Sequence, residues 1–343
     1  MPHVFRRELV RVILEDPAEG LAKTGLWGVS AFARAQLRRE ARRRRARLRR
    51  AAQPLVSVIV AARNASGLIE RSLESILRQT YRELEVVVID DASDDDTASV
   101  VEQAARRDGR VALWRSASQR GPAMARNLGL ARARGAYLAF QDADDVSHPE
   151  RIERQLAALL ERPGAVACVC NYRRETRAGQ RVVINGRRFA KGAISMLFAR
   201  EPVLSTLGYL LDVPLGEDAE YAERARAFFG ADREVYLFQT LYRAGFSTDS
   251  LLFSNGETKI DASHEVSYLR SERVEREMAA VHDRLESIRK GRLDPYVFAT
   301  GEPAWAEDAG HRARTSVRWR RFGPVDPGHG LIPVAVATPG RRL

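Results

Sequence analysis

The sequence predicts an α/β fold, a mostly parallel Rossmann-like sheet flanked by helices, from two features of the chain after residue 54. Short β-branched runs alternate with amphipathic stretches of helical period, the signature of strands joined by crossover helices. Polar residues collect where those apolar runs end, which is where a parallel sheet presents its carboxyl edge to a ligand.

The elements follow in order. Val56-Ser57-Val58-Ile59-Val60 reads as a buried first strand. Residues 66 to 78 carry Ile69, Leu73, Ile76 and Leu77 at helical spacing. Glu85 to Ile89 is a second strand, and Ser93 with Asp96 three residues on is a capping signal for a helix through Arg107. Val111 to Trp114 is a third strand, residues 122 to 133 a third helix, and Ala136 to Phe140 a fourth strand. Ser147 and Glu150 repeat the capping signal, with Pro149 in the first helical turn, and the helix runs to Glu161 before a fifth strand at Ala165 to Val169. Further on, the pattern predicts a hairpin at 181 to 189, helices at 192 to 199 and 218 to 228, and a charged amphipathic helix at 266 to 290 ended by Gly291. The chain therefore divides into a basic helical extension at 1–53, a central domain at 54–262 and a helical, then irregular, extension at 263–343.

The charge is concentrated at one end. The 343 residues carry 56 Lys and Arg against 45 Asp and Glu, a net charge of +11. Residues 34 to 50 hold ten arginines and one acid, Glu40, so this segment accounts for +9 and the rest for +2. The body is close to neutral, which argues against a nucleic-acid-binding face. Next to Trp27 and Phe32, the arginines suit an anionic membrane surface, where each basic residue contributes roughly 1 kcal/mol. A solvated basic helix and an RNA contact are the other readings.

No apolar run approaches the roughly 18 residues needed to span a bilayer. The nine-residue stretch Gly25 to Ala33 precedes the arginines, the wrong order for a secretory signal. Cys168 and Cys170, two apart on a strand, read as buried reduced thiols. These features point to a cytoplasmic protein, peripheral at the inner face of a membrane.

The strand ends carry the chemistry. The first ends in Ala61-Ala62-Arg63-Asn64, the second in Asp90-Asp91-Ala92-Ser93, and the fourth in Gln141-Asp142-Ala143-Asp144-Asp145. Carboxylates packed as closely as Asp142, Asp144 and Asp145 repel one another, and a divalent cation removes the conflict. Oxygen-only ligands favour Mg²⁺ or Mn²⁺, which keep positions open for phosphate oxygens. A solvated acidic turn is the structural alternative.

Five ordered motifs give the chain a family resemblance. They are Val56 to Asn64, Ser75-Ile76-Leu77-Arg78-Gln79-Thr80-Tyr81, Val88 to Asp95, Gly121-Pro122-Ala123-Met124-Ala125-Arg126-Asn127-Leu128-Gly129, and Gly135 to Asp145. Residues 54 to about 225 resemble the family 2 glycosyltransferases, inverting enzymes of the GT-A fold. The resemblance implies transfer of a sugar from a nucleoside-diphosphate sugar, UDP first among the nucleotides, to a hydroxyl on a glycan or lipid-linked acceptor, in bacterial polysaccharide or glycan synthesis.

It also implies residue roles. Asp91, with Asp90 beside it, would contact the nucleobase, and the backbone of Ala61 to Asn64 would flank base and ribose. Asp142 would touch the ribose and share the metal with Asp144, the expected direct ligand, supported by Asp145. Arg126 reads either as a donor-phosphate contact or as a structural ion pair. Gly216-Glu217-Asp218 resembles the family's Glu-Asp motif, making Asp218 the catalytic base and Glu217 its orienting neighbour.

Two departures stand out. Relatives often end the first strand Pro-Thr-Tyr-Asn, so a tyrosine beside the nucleotide is missing here. Relatives also often carry Tyr-Arg-x-His late in the domain, where this chain has Tyr242-Arg243-Ala244-Gly245 and no histidine; His264 is a substitute candidate. A dehydrogenase is excluded because no Gly-x-Gly-x-x-Gly follows the first strand. A catalytically inactive GT-A-like binding or scaffold domain, tethered by the basic tail, is the alternative of a different class.

Overall fold

The structure, a computed structural model, describes residues 53–213, 215–261 and 265–298, and the backbone of 331–333. The expectations for the N-terminal extension, for His264 and for the last forty residues apart from 331–333 lie outside the described residues.

Thirteen described strands form one continuous arrangement: β1 Val56–Ala62, β2 Leu84–Asp90, β3 Val111–Ser116, β4 Tyr137–Asp142, β5 Val146–Ser147, β6 Ala167–Glu175, β7 Arg181–Ile184, β8 Ala190–Lys191, β9 Leu197–Ala199, β10 Glu234–Gly245, β11 Gly256–Ile260, β12 Glu265–Arg270 and β13 Leu331–Pro333. The helices are α1 Ile69–Leu77, α2 Thr97–Arg107, α3 Pro122–Arg132, α4 Arg151–Leu160, α5 Arg200–Leu207, α6 Glu217–Phe229, α7 Leu251–Ser254 and α8 Glu272–Arg289.

At the centre, β3, β2, β1 and β4 lie side by side and parallel. Parallel strands need both faces covered, and the alternation along β1 shows how. Val56, Val58 and Val60 enter one core with Ile69 and Leu73 of α1, Val101 of α2 and Leu156 of α4. Ile59 points the other way, into a second core with Leu130 of α3, Phe140, Phe198 and Tyr221 of α6. The register sets the strand ends level: Ala62 lies opposite Asp90, and Ala61 opposite Asp142. Three polar strand ends thus meet on one edge.

The sheet differs from the sequence expectation beyond β4. The fifth strand was expected to extend the parallel run directly. Instead β9 inserts antiparallel between β4 and β6. β9 comes from residues where a helix was expected, because a short apolar run such as Met196-Leu197-Phe198 has no period that separates helix from strand. The surrounding strands decide it, burying Leu197 and Phe198 completely. The hairpin expected at 181–189 is a β6–β7 pair joined through 176–180, with a single Ile184–Arg187 bridge inside the expected span.

Three helix starts also move. α8 begins at Glu272 with Ser271 accepting from Val274 N, and residues 265–270 form a strand instead. α2 begins at Thr97, not beside Ser93, whose hydroxyl donates to Asp90 and accepts from Asn64 N. α4 begins at Arg151, and Ser147 donates to Gln141 rather than capping. In both cases the serine is taken by a polar group from another part of the chain, a competitor that a local motif does not display. Cys168 and Cys170 are buried and form no disulfide, as expected.

Among the described residues no helix is long and apolar enough to cross a membrane.

Candidate active site

Asp142, at the end of β4, and Asp144 and Asp145 in the following turn form one cluster. Their ligand-capable oxygens all lie within 4.8 Å of one another. The sequence after the turn fixes it: β5 pairs antiparallel with β10 through Tyr242–Ser147 and Arg243–Val146, which lays β10 over the acids. Asp142 N donates to the Tyr242 hydroxyl at 3.1 Å, and Gly245 N donates to Asp145 Oδ1 at 2.7 Å. At Gly245 a Cβ would stand 3.0 Å from Asp144 Oδ2, so a side chain there would press on the cluster.

The three acids are not equivalent. Asp145 is buried, and burial first, then Asp142 and Asp144, raises its pKa well above the carboxylate norm; hydrogen bonds from Tyr242 and Gly245 only partly oppose this. Asp144 is exposed. Desolvation by the surrounding chain and repulsion from Asp142 raise its pKa, while Arg174 lowers it. Asp142 is half-buried, with Arg126 Nη2 donating to Oδ1 at 2.5 Å. The oxygen-only donor set, its mutual repulsion and the open face of Asp144 fit a hard divalent cation.

Arg126 links this cluster to the second half of the chain. It sits on α3 with its side chain buried, and it donates to Asp142 on one side and Glu217 on the other. Burial opposes its charge, but Asp142 and Asp218 outweigh that and raise its pKa. Of the two sequence alternatives for Arg126, the observed geometry is the ion pair. Glu217 correspondingly reaches the guanidinium, so its orienting contact runs to Arg126.

Glu217 and Asp218 open α6 after Gly216, whose φ of 79° is readily adopted only by glycine. Asp218 has a raised pKa, first from burial and then from Asp142, with Arg126 opposing. The carboxylates of Asp218 and Asp142 are thus close enough to repel each other, with Arg126 close to both.

The acids after β2 are arranged differently. Asp91 is 3% exposed, and its two carboxylate oxygens accept from Arg120 N and Gly121 N, each at 2.8 Å. Gly121 precedes α3, so Asp91 anchors the helix that carries Arg126. Asp90 is fully buried, 3.0 Å from Arg115 Nε and bonded to Ser93. Ala61 and Ala62 end β1 beside them, and Arg63 Nη1 donates to Asp91 O at 3.2 Å. Asn64, at φ 48°, accepts from Asp94 N through its side chain. The backbone of 61–64 and the acids after β2 thus form one interlocked rim.

Sequence reasoning missed Tyr242, Arg151 and Gly245. Arg151 is fully buried, donates to Phe140 O at 2.9 Å and lies 4.8 Å from the centre of the Tyr242 ring. No local pattern announces these residues; only the stretch compared with Tyr-Arg-x-His marked the right place for two of them.

The chain is similar to known proteins in sequence and in fold. The family model described as "Glycosyl transferase family 2" matches residues 57–204. The putative teichuronic acid biosynthesis glycosyltransferase TuaG of Bacillus subtilis is 38% identical over 110 residues, 32% of this chain and 44% of that protein. The UDP-Glc:alpha-D-GlcNAc-diphosphoundecaprenol beta-1,3-glucosyltransferase WfaP of Escherichia coli is 38% identical over 102 residues, 30% of this chain and 40% of that protein. The matches thus span less than half the length of either relative. In fold, the chain is similar to S. aureus TarS 1-349, crystallised with UDP-GlcNAc, with a TM-score of 0.51 at 20% identity, covering 69% of this chain and 71% of that one. Residues 57–204 are thus similar to the family 2 glycosyl transferases, and the fold around them is a GT-A-like α/β fold.

Proposed function

We propose that this chain is an inverting, divalent-metal-dependent glycosyltransferase that moves a sugar from a nucleoside-diphosphate sugar to a hydroxyl acceptor in bacterial polysaccharide or glycan synthesis. The observation that carries the reading is the convergence of Asp142, Asp144 and Asp145 with Arg126, Glu217 and Asp218 in one linked group of charges. WfaP is named for a UDP-glucose donor and a diphosphoundecaprenol-linked acceptor, which supports UDP as the nucleotide and a lipid-linked glycan as one acceptor class.

Asp144 is the residue to hold Mn²⁺ or Mg²⁺, with Asp145 and Asp142 in support. When bound, the cation supplies stabilisation of the negative charge that develops on the leaving diphosphate. The rim of Ala61 to Asn64 takes the nucleoside, with Asp90 and Asp91 shaping that pocket from beneath. Asp218 accepts the proton of the acceptor hydroxyl as its oxygen bonds to the anomeric carbon. The bond from that carbon to the diphosphate breaks, and its electron pair leaves with the phosphate oxygen. Attack from the opposite face inverts the configuration. The raised pKa of Asp218 makes its carboxylate a stronger proton acceptor, which suits a general base.

The domain division is part of the same proposal. The central domain, 54–262, carries donor and base; the extension 263–343 begins with β12 and α8, and Leu285 and Ile288 of α8 pack against Ala227 of α6. The arginines of 34–50 are proposed to hold the enzyme at an anionic membrane surface on the cytoplasmic side, nucleic acid being a weaker partner for a near-neutral body. Deleting residues 1–50 should reduce pelleting with anionic liposomes and spare activity on a soluble acceptor; unchanged pelleting removes the membrane from the proposal.

The direct test is hydrolysis of UDP-sugars with Mn²⁺, repeated with a chelator. Turnover that the chelator abolishes is expected. No turnover and no nucleotide binding with any nucleoside-diphosphate sugar would leave a binding or scaffold domain instead.

A further inference from the structure

A cavity of about 470 Å³ opens between β6, β7 and β12. Among the described residues, its walls carry five arginines, Arg173, Arg174, Arg187, Arg188 and Arg270, against one acid, Glu275. A neutral hydroxyl-bearing glycan would need no such charge. Arg173 is balanced by Glu175 at 2.6 Å. Arg174, Arg187 and Arg270 have no ion-pair partner among the described residues.

Arg174 is held ready. Its guanidinium lies 5.5 Å from the Tyr172 ring centre and 5.1 Å from that of Phe253, and Nη1 donates to Gly245 O at 3.1 Å. A guanidinium has five N–H donors, so this leaves most of its fork for a ligand at little entropic cost. Gly245 is also the residue beside Asp144, so a single residue links Arg174 to the aspartate cluster. Apart from Asn185, the remaining lining is apolar and aromatic and includes Phe189, Leu252 and Tyr268. Guanidinium groups beside aromatic rings form a combination that recognises a phosphoryl group attached to a sugar.

We propose that this cavity binds a phosphoryl-bearing sugar, the acceptor end of the transfer, with Arg174, Arg187 and Arg270 on the phosphate and the rings against the sugar face. The word acceptor rests on the glycosyltransferase reading; the ligand chemistry rests on the cavity alone.

The test is calorimetric binding of glucose 1-phosphate to the full chain in the presence of EDTA, which removes metal-dependent donor binding. Arg187 and Arg270 are exposed, so R187A/R270A should keep the wild-type melting temperature and lose affinity by roughly tenfold or more. Hydrogen exchange on the wild type should show protection at 182–190 and 265–270 when the ligand is present. Asp144→Ala should leave binding intact or tighten it. No binding, equal binding by R187A/R270A, protection elsewhere, or loss of binding in Asp144→Ala would each overturn the proposal. An undecyl ester of the same phosphosugar distinguishes the sources: tighter binding assigns a lipid-linked acceptor, equal binding a soluble one, and both uphold the cavity. UDP binding with Mn²⁺, measured in parallel on the wild type, reads the donor site separately, so either proposal can fail without the other.

Discussion

The acid groups after β2 and after β4 sit on the same sheet edge and have opposite electrostatics. Asp90 and Asp91 are surrounded by donors: Arg115, Ser93 and the backbone N–H groups of Arg120 and Gly121. Asp142, Asp144 and Asp145 face one another, and the pKa values of Asp144 and Asp145 are pushed up by burial and by their neighbours. Asp91 is finished as it stands, while Asp90 Oδ2 keeps only its ion pair with Arg115. The second group stays in conflict even with donors from Arg126, Tyr242 and Gly245. An acidic motif becomes a candidate ion site when its internal donors do not offset burial and mutual repulsion, not through the number of its carboxylates.

The comparison can be sharpened first at Asp218, which belongs to the conflicted side. Asp218→Asn should reduce kcat by roughly 10²- to 10⁴-fold while donor affinity changes little. Initial rates and UDP titrations check both. The wild-type rate should fall as pH drops through the folded pKa of Asp218, which burial and Asp142 hold above the ordinary value near 3.9. A pH–rate profile in which the same acidic limb survives in the variant would take Asp218 out of the reaction.

Next comes Asp144→Ala. Loss of a metal contribution of several kcal/mol corresponds to roughly 10³-fold in rate, and Mn²⁺ should no longer raise the melting temperature. Without metal the variant should be as stable as the wild type or more so, because a repelling charge is gone. A metal-free variant that melts well below the wild type would instead make Asp144 a structural residue.

On the satisfied side the effects should appear in stability. Asp91→Ala strands two backbone N–H groups and should cost about 2–4 kcal/mol in denaturant unfolding, with or without metal. An unaltered midpoint would erase the contrast between the two strand ends.

Glu85 gives the smallest effect. Burial raises its pKa, but hydrogen bonds from Ser57 and Arg134 outweigh that and lower it overall. A lowered folded pKa contributes stability above the unfolded value, near 4.3, that is lost as pH falls through the folded one. Glu85→Gln should therefore cost about 1–2 kcal/mol at pH 7 and progressively less in acid. Equal penalties at pH 7 and pH 3 would contradict this.

The sequence by itself determined the alternation of strands and helices from Val56 to Leu160, because buried parallel strands and amphipathic helices write their burial into residue order. It also brought the polar strand ends to one edge, since parallel strands share a direction. Tertiary structure decided what had no local period. Leu197 and Phe198 became a strand because β4 and β6 leave a gap between them. Ser93 gave up capping for Asn64, 29 residues away, and Ser147 for Gln141 at the end of the preceding strand. Arg126 was joined to Glu217, 91 residues away. Tyr242 and Gly245 came to lie over the aspartates only through the pairing of β10 with β5. Hydrogen bonds and charges act through space, so a group's partner, and with it the difference between a satisfied acid and one awaiting a cation, is fixed only once the chain has folded.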